Sequence, residues 1–255
     1  MRNKNVKKAI TFLGVGLFWL TLWQLAYYAV GRDLLLASPF AVLKKLAVLV
    51  RGKDFWLIVG SSFMRIMSGF MLGLVCGILL AVASARWKLV YKILQLPMSI
   101  IKATPVASFV ILALVWISGR RLSTFISFIM VLPMVWNGVY TGISCADIKL
   151  LEAAKTFRLS KLQTAEAVYL PAVMPHLLSA SRIALGFAWK SGIAGEVIAI
   201  PKNSIGSQLH NAKVYLETDD LFAWTAVVVI LSVAIEKLFS AIIRKAAGKW
   251  GGENG

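Results

Sequence analysis

Acids, cysteines and histidines are scarce in this chain, and each shortage argues against a class of function. Only 11 of 255 residues are Asp or Glu, against 28 Lys and Arg. A site built on clustered carboxylates has little to draw on, and no nucleophile triad is visible. The two histidines, His176 and His210, stand beside polar stretches without a ligand constellation. The two cysteines, Cys76 and Cys145, have no CxxC or Cys/His neighbourhood and read as small buried hydrophobes rather than metal or redox groups. No GxxxxGK[ST] stretch occurs, so the chain does not hydrolyse ATP by P-loop chemistry. Charged residues of both signs reach only 15%, where a soluble domain carries about 25%.

Apolar residues dominate instead. They make up 59% of the chain, and the mean hydropathy is +0.77. Lipid is the solvent such a composition fits, and the length allows roughly five or six spans of about 20 apolar residues each. The net charge is +17. Because Lys and Arg sit mostly between long apolar runs, the excess suits anionic headgroups and orientation during insertion, not a nucleic-acid partner.

The runs predict an all-α polytopic membrane protein with about six transmembrane helices in a single domain, 1–255. TM1 is expected at 10–30, TM2 at 59–83, TM3 at 104–118 with an earlier start or a kink at Pro105 open, TM4 at 122–143, TM5 at 176–200 and TM6 at 221–243. Basic then apolar also describes a signal peptide. The first run, however, is long enough to span and carries Trp19, Trp23, Tyr27 and Tyr28, so it is read as an uncleaved helix. Ser38-Pro39 starts a short amphipathic helix expected on the outer surface. Gly69, Gly73 and Gly77 recur at every fourth position in TM2, a face that a neighbouring helix can approach closely. Pro97 breaks a mixed segment before TM3, and Gly119-Arg120-Arg121 reads as a tight outer turn. Both termini are placed on the cytoplasmic side, where the greater share of Lys and Arg falls.

The stretch 145–175 is the one long polar segment between spans. It contains Glu152-Ala153-Ala154, then Arg158, and closes on Val168-Tyr169-Leu170-Pro171. This resembles the EAA coupling loop of ABC import permeases: Glu-Ala-Ala, three residues, Gly, nine residues, an aliphatic residue, any residue, Leu-Pro. Arg158 stands where the family has Gly, which puts the usual tight turn in question. Ser38-Pro39, Ser62 through Gly69-Phe70, Thr104-Pro105 and Arg182-Ile183-Ala184-Leu185-Gly186 extend the resemblance to the nitrate, sulfonate and taurine type and its thiamine-precursor relatives.

The resemblance implies a type I ABC importer permease fold in the bacterial inner membrane. It implies a homodimer, two separate ATPase subunits carrying ATP and Mg, and an extracytoplasmic substrate-binding protein; the chain itself would hold no cofactor. Glu152, Ala153, Ala154, Arg158, Leu170 and Pro171 would couple the ATPase to the membrane helices. The solute would be a small anion such as a sulfonate or nitrate, with a thiamine precursor or similar heterocycle as the alternative. A membrane scaffold or a lipid-acting enzyme is the competing class. Charges inside a span cost at least about 2.5–3.5 kcal/mol and need a reason. Lys190, with Trp189 and Ser191, is the central candidate for a translocation path, with a structural pairing as the alternative; Arg182, Glu196, Asn137 and Trp136 are further candidates. Glu236 and Lys237 read as structural residues near the inner interface.

Overall fold

The computed structural model describes the backbone of residues 2–247 and the side chains of residues 11 and 14–242. The basic clusters Arg2 to Lys8 and Arg244 to Lys249 lie outside the described side chains. Among the described residues every regular element is a helix. In order these are α1 (Arg2–Val30), α2 (Pro39–Arg51), α3 (Lys53–Arg86), α4 (Lys88–Ala103), α5 (Val106–Ala113), α6 (Gly119–Ser144), α7 (Ile148–Thr156), α8 (Lys161–Thr164), a π-helical turn (Ala165–Tyr169), α9 (Leu170–Ala199), α10 (Ile205–Val214) and α11 (Thr218–Ala247). Four stretches are long and apolar enough to span: α3, α6, the continuous rod Lys161–Ala199 and Thr218–Ile242. The pair α4–α5 is a bent fifth, and α1 adds a shorter apolar stretch, Gly14–Val30.

The centre of the bundle is α3, α6 and α9. Gly69, Gly73 and Gly77 all face α6, as their spacing predicts. A Cβ on Gly69 would collide with the Thr124 carbonyl, one on Gly73 would lie 2.7 Å from Val131 Cβ, and one on Gly77 2.8 Å from Val135 Cβ. On the other side of α6, Gly138 and Gly142 admit Ala180 and Val173 of α9. Two seams of small residues therefore draw three helices together without help from the hydrophobic effect, which is weak between surfaces already in lipid. Large side chains fill the rest of the core: Ile66, Phe70, Val131, Val135, Leu185 and Trp189 are buried in one cluster.

Several expected boundaries are corrected. The expected TM3 is not one helix over 104–118 but is bent at Pro105, one of the two readings open for it. Helix α4 runs straight through Pro97, and the break falls at Thr104–Pro105, where the chain bends by 106°. Proline disfavours helical backbone in the residue before it, and Thr104 is extended at φ −79°, ψ 129°. Gly119-Arg120-Arg121 is not a turn but the first residues of α6. The stretch between the expected TM5 and TM6 contains α10. The stretch 145–175 is largely helical, and TM5 begins inside it. Pro171 has no amide and clashes with the carbonyl four residues back; the wider π turn directly before it keeps the rod continuous from α8 into α9.

Helix α2 starts as its sequence predicts, with the Ser38 hydroxyl accepting from the Ala41 amide at 3.1 Å and Pro39 in the first turn. It does not lie free on a surface. Ala37, Val42 and Ala223 form a small core with Trp23 and Phe222, and Lys45 pairs with Asp220 of α11 at 2.9 Å.

Candidate functional site

The residues singled out in the sequence separate to the two ends and the middle of the bundle. At one end α7 folds back on the start of α9. Asp147 caps α7 by accepting from the Lys149 amide at 2.8 Å. Ser160 and Gln163 form a capping box for α8, two reciprocal bonds that fix its entry. Ala146, Ala154 and Val168 pack together with Leu151, Tyr169 and Ala172 beneath the hairpin. Ala154 is thus spent on packing within this chain, whereas Glu152 is exposed and Ala153 half-buried. Leu170 is half-buried and Pro171 exposed, both within the rod.

Arg158 keeps the tight turn that its side chain puts in question. Its φ is +51°, the left-handed region that costs a non-glycine residue about 1–2 kcal/mol. The Leu159 amide donates to the Ala154 carbonyl at 2.9 Å and the Arg158 amide to Lys155 at 3.0 Å. That pair is the Schellman arrangement for ending a helix, with Arg158 where glycine is favoured. The turn leaves Phe157 77% exposed and Leu162 70% exposed, with Ile148 and Leu150 also bare.

At the opposite end Glu196 is fully buried. Its Oε1 accepts from Arg65 Nε at 3.0 Å; its Oε2 accepts from the Ser62 hydroxyl at 2.7 Å and the Gly206 amide at 3.3 Å. Arg65 also donates to the Asn203 carbonyl at 2.9 Å, and Ser62 accepts from the Ile205 amide at 2.9 Å. Asn203 and Ile200 both take left-handed backbone to make the turn. Gly206 is required there because a Cβ would overlap Glu196. The network ties α3, α9 and α10 into one unit. Glu196 and Arg65 lie on different helices, 131 residues apart, so the pairing has no signal in local spacing.

The remaining path candidates divide by burial. Trp189 is buried and its Nε1 donates to the Val228 carbonyl at 3.1 Å, clamping α9 to α11. Ser191 is buried and donates to Ala188 at 3.3 Å. Trp136 is buried, donates to the Ser84 hydroxyl at 2.9 Å and stacks with Tyr91 and Tyr140. Lys190, Arg182 and Asn137 are exposed on the protomer, and among the described residues no carboxylate pairs with either cation. Glu236 stands on α11. Its carboxylate lies against Gly186, near the middle of α9, where a Cβ would come within 2.9 Å of Oε1. One turn either way along α9 stand Arg182 and Lys190. Among the described residues no group of three His, Cys, Asp or Glu is placed to hold a metal.

The fold has solved counterparts. A chain of an amino acid ABC transporter with histidines matches 74% of this chain and 94% of its own, with a TM-score of 0.58 at 18% identity. The inward-facing MetNI methionine ABC transporter matches 77% and 95%, with a TM-score of 0.54 at 20% identity. The architecture is therefore one found in ABC transporters. The model of the family described as binding-protein-dependent transport system inner membrane component covers residues 73–248, and the chain belongs to that family. It is a permease subunit rather than an enzyme. Among curated proteins it is similar to the taurine transport system permease protein TauC of Escherichia coli, 25% identical over 91% of this chain and 86% of the relative. The putative aliphatic sulfonates permease SsuC of the same organism is 27% identical over 89% and 84%. Its Bacillus subtilis counterpart is 22% identical over 88% and 80%.

Proposed function

We propose that this chain imports a small organic anion, a sulfonate foremost, as a pair of identical permease subunits driven by two ATPases and supplied by an extracytoplasmic binding protein. The observation that carries the coupling role is the rigid hairpin α7–α8 running without a break into α9. A partner that grips the exposed Phe157, Leu162 and Glu152 moves a rod that crosses the membrane, so displacement at one end reaches the other. The hairpin end is then cytoplasmic, as are both termini, and the Glu196 end is extracytoplasmic. Two copies would rock against each other between inward and outward states. The taurine and sulfonate relatives support the substrate class, and so do the uncompensated cations of α6 and α9.

The test is uptake into vesicles holding the chain with its ATPase and binding protein. Ethanesulfonate should accumulate only with ATP inside the coupled complex. Glu152→Arg should release the ATPase during purification and lower uptake at least tenfold; full uptake with the ATPase retained would defeat the coupling role.

A further inference from the structure

A second set of charged groups lies at the Glu196 end, outside the buried network. Arg65, Arg120 and Arg121 line one cavity of about 420 Å³ with Ser61 and Thr124. Arg121 and Thr124 also line an adjoining chamber of about 900 Å³ whose other walls include Trp116, Ile117, Phe125 and Phe128. The first space is thus polar and cationic, and the second largely apolar.

The electrostatics there are one-sided. Only Arg65 has a carboxylate partner, Glu196; among the described residues Arg120 and Arg121 have none. Both arginines sit in the first turn of α6, whose N-terminus carries about half a positive charge of its own. Acids favour that position and cations oppose it, yet this turn has no acidic residue. Ser118, the residue before the helix, makes no capping bond through its side chain and borders the larger chamber. Two unpaired guanidiniums, a compensated third and an uncapped helix start therefore converge on one opening. Gly119 makes the convergence possible, since the start of α6 approaches the Ala199 carbonyl so closely that a Cβ would lie 2.9 Å from it. That contact sets Arg120 and Arg121 beside the turn that holds Arg65.

We propose that Arg65, Arg120 and Arg121 hold a tetrahedral oxyanion here, with a short apolar tail in the adjoining chamber. Guanidinium forks match such oxygens in pairs, and Ser61 and Thr124 supply hydroxyls. The chemistry is shared by two sources: an alkyl sulfonate passing through, or the phosphate of a lipid headgroup seated at the membrane surface. Only the identity of the free solute rests on the sulfonate reading; the anion site itself does not.

The test uses the full chain, purified in a neutral detergent without partners, so that it does not depend on transport. Its thermal midpoint is followed by tryptophan fluorescence during titration with sodium ethanesulfonate, against sodium chloride at equal ionic strength. A parallel titration uses dioleoylphosphatidylglycerol in mixed micelles, against dioleoylglycerol. We expect a saturable rise whose half-saturation weakens at least tenfold in Arg121→Gln and vanishes in Arg120→Gln/Arg121→Gln. Arg121→Lys should weaken it less, and Arg32→Gln, which lines neither cavity, should leave it unchanged. A rise with ethanesulfonate identifies the solute; a rise with phosphatidylglycerol alone, lost in the double variant, identifies the headgroup. Competition between the two means that they share the site. No rise with either anion, or one that survives in the double variant, overturns the proposal. Loss of uptake in the assembled importer with normal binding here would instead count against the transport reading alone.

Discussion

Arg158 shows what one residue can cost without changing the backbone around it. The two bonds that close α7 are in place, so the strain of its left-handed conformation is borne by the turn. Arg158→Gly should raise the thermal midpoint by the equivalent of about 1 kcal/mol, while Arg158→Ala should leave it nearly unchanged; equal midpoints for all three would mean that the turn is unstrained. Glu196 is the opposite case, a residue whose removal exposes a debt. Glu196→Ala leaves Arg65, with its side chain only 16% exposed, without a counter-charge. Truncating one member of a buried pair costs about 3–5 kcal/mol. The variant should lose stability on that scale in a melting experiment, and a fully stable Glu196→Ala chain would show that the network does not brace α3, α9 and α10.

At the scale of elements, the packing seams make a rank order. Gly73→Ala places a methyl 2.7 Å from Val131 Cβ and 2.9 Å from the Phe128 carbonyl, whereas Gly60 on the same helix has nothing within 4 Å. Overpacking costs about 1–3 kcal/mol, and alanine in an open helical site gains up to about 1 kcal/mol. Gly73→Ala should therefore lower the melting midpoint and Gly60→Ala raise it; the reverse order would remove α3–α6 contact as the organising seam. This seam was legible in the sequence because its signal is local, one glycine per turn. The start of α2 was legible for the same reason. The bend at Pro105 is one of the two readings open for TM3, since proline disfavours helix in the residue before it, whereas the passage of α4 through Pro97 cannot be told until the helix register is known. The burial of Glu196 and the contact of Glu236 with Gly186 depend on which helices become neighbours, and no spacing within one helix records that.

For the whole molecule, the decisive question is what faces the exposed side of α9. Lys190 lies well inside a spanning helix and no described carboxylate pairs with it, so hydrocarbon around its amine would cost at least about 2.5–3.5 kcal/mol. A second copy or a water-filled passage between copies removes that cost. The Glu236 carboxylate, held against Gly186 one turn away, gives the same stretch a charge of opposite sign. A cation in the path must bind well enough to draw solute in and weakly enough to let it go. Lys190→Met should therefore lower ethanesulfonate uptake by the reconstituted importer at least tenfold, with assembly and melting midpoint retained. Lys190→Arg, which keeps the charge, should preserve a substantial part of the rate. If Lys190→Met transports normally, the amine reaches lipid headgroups along a tilted helix, and the passage must run along another face of the bundle.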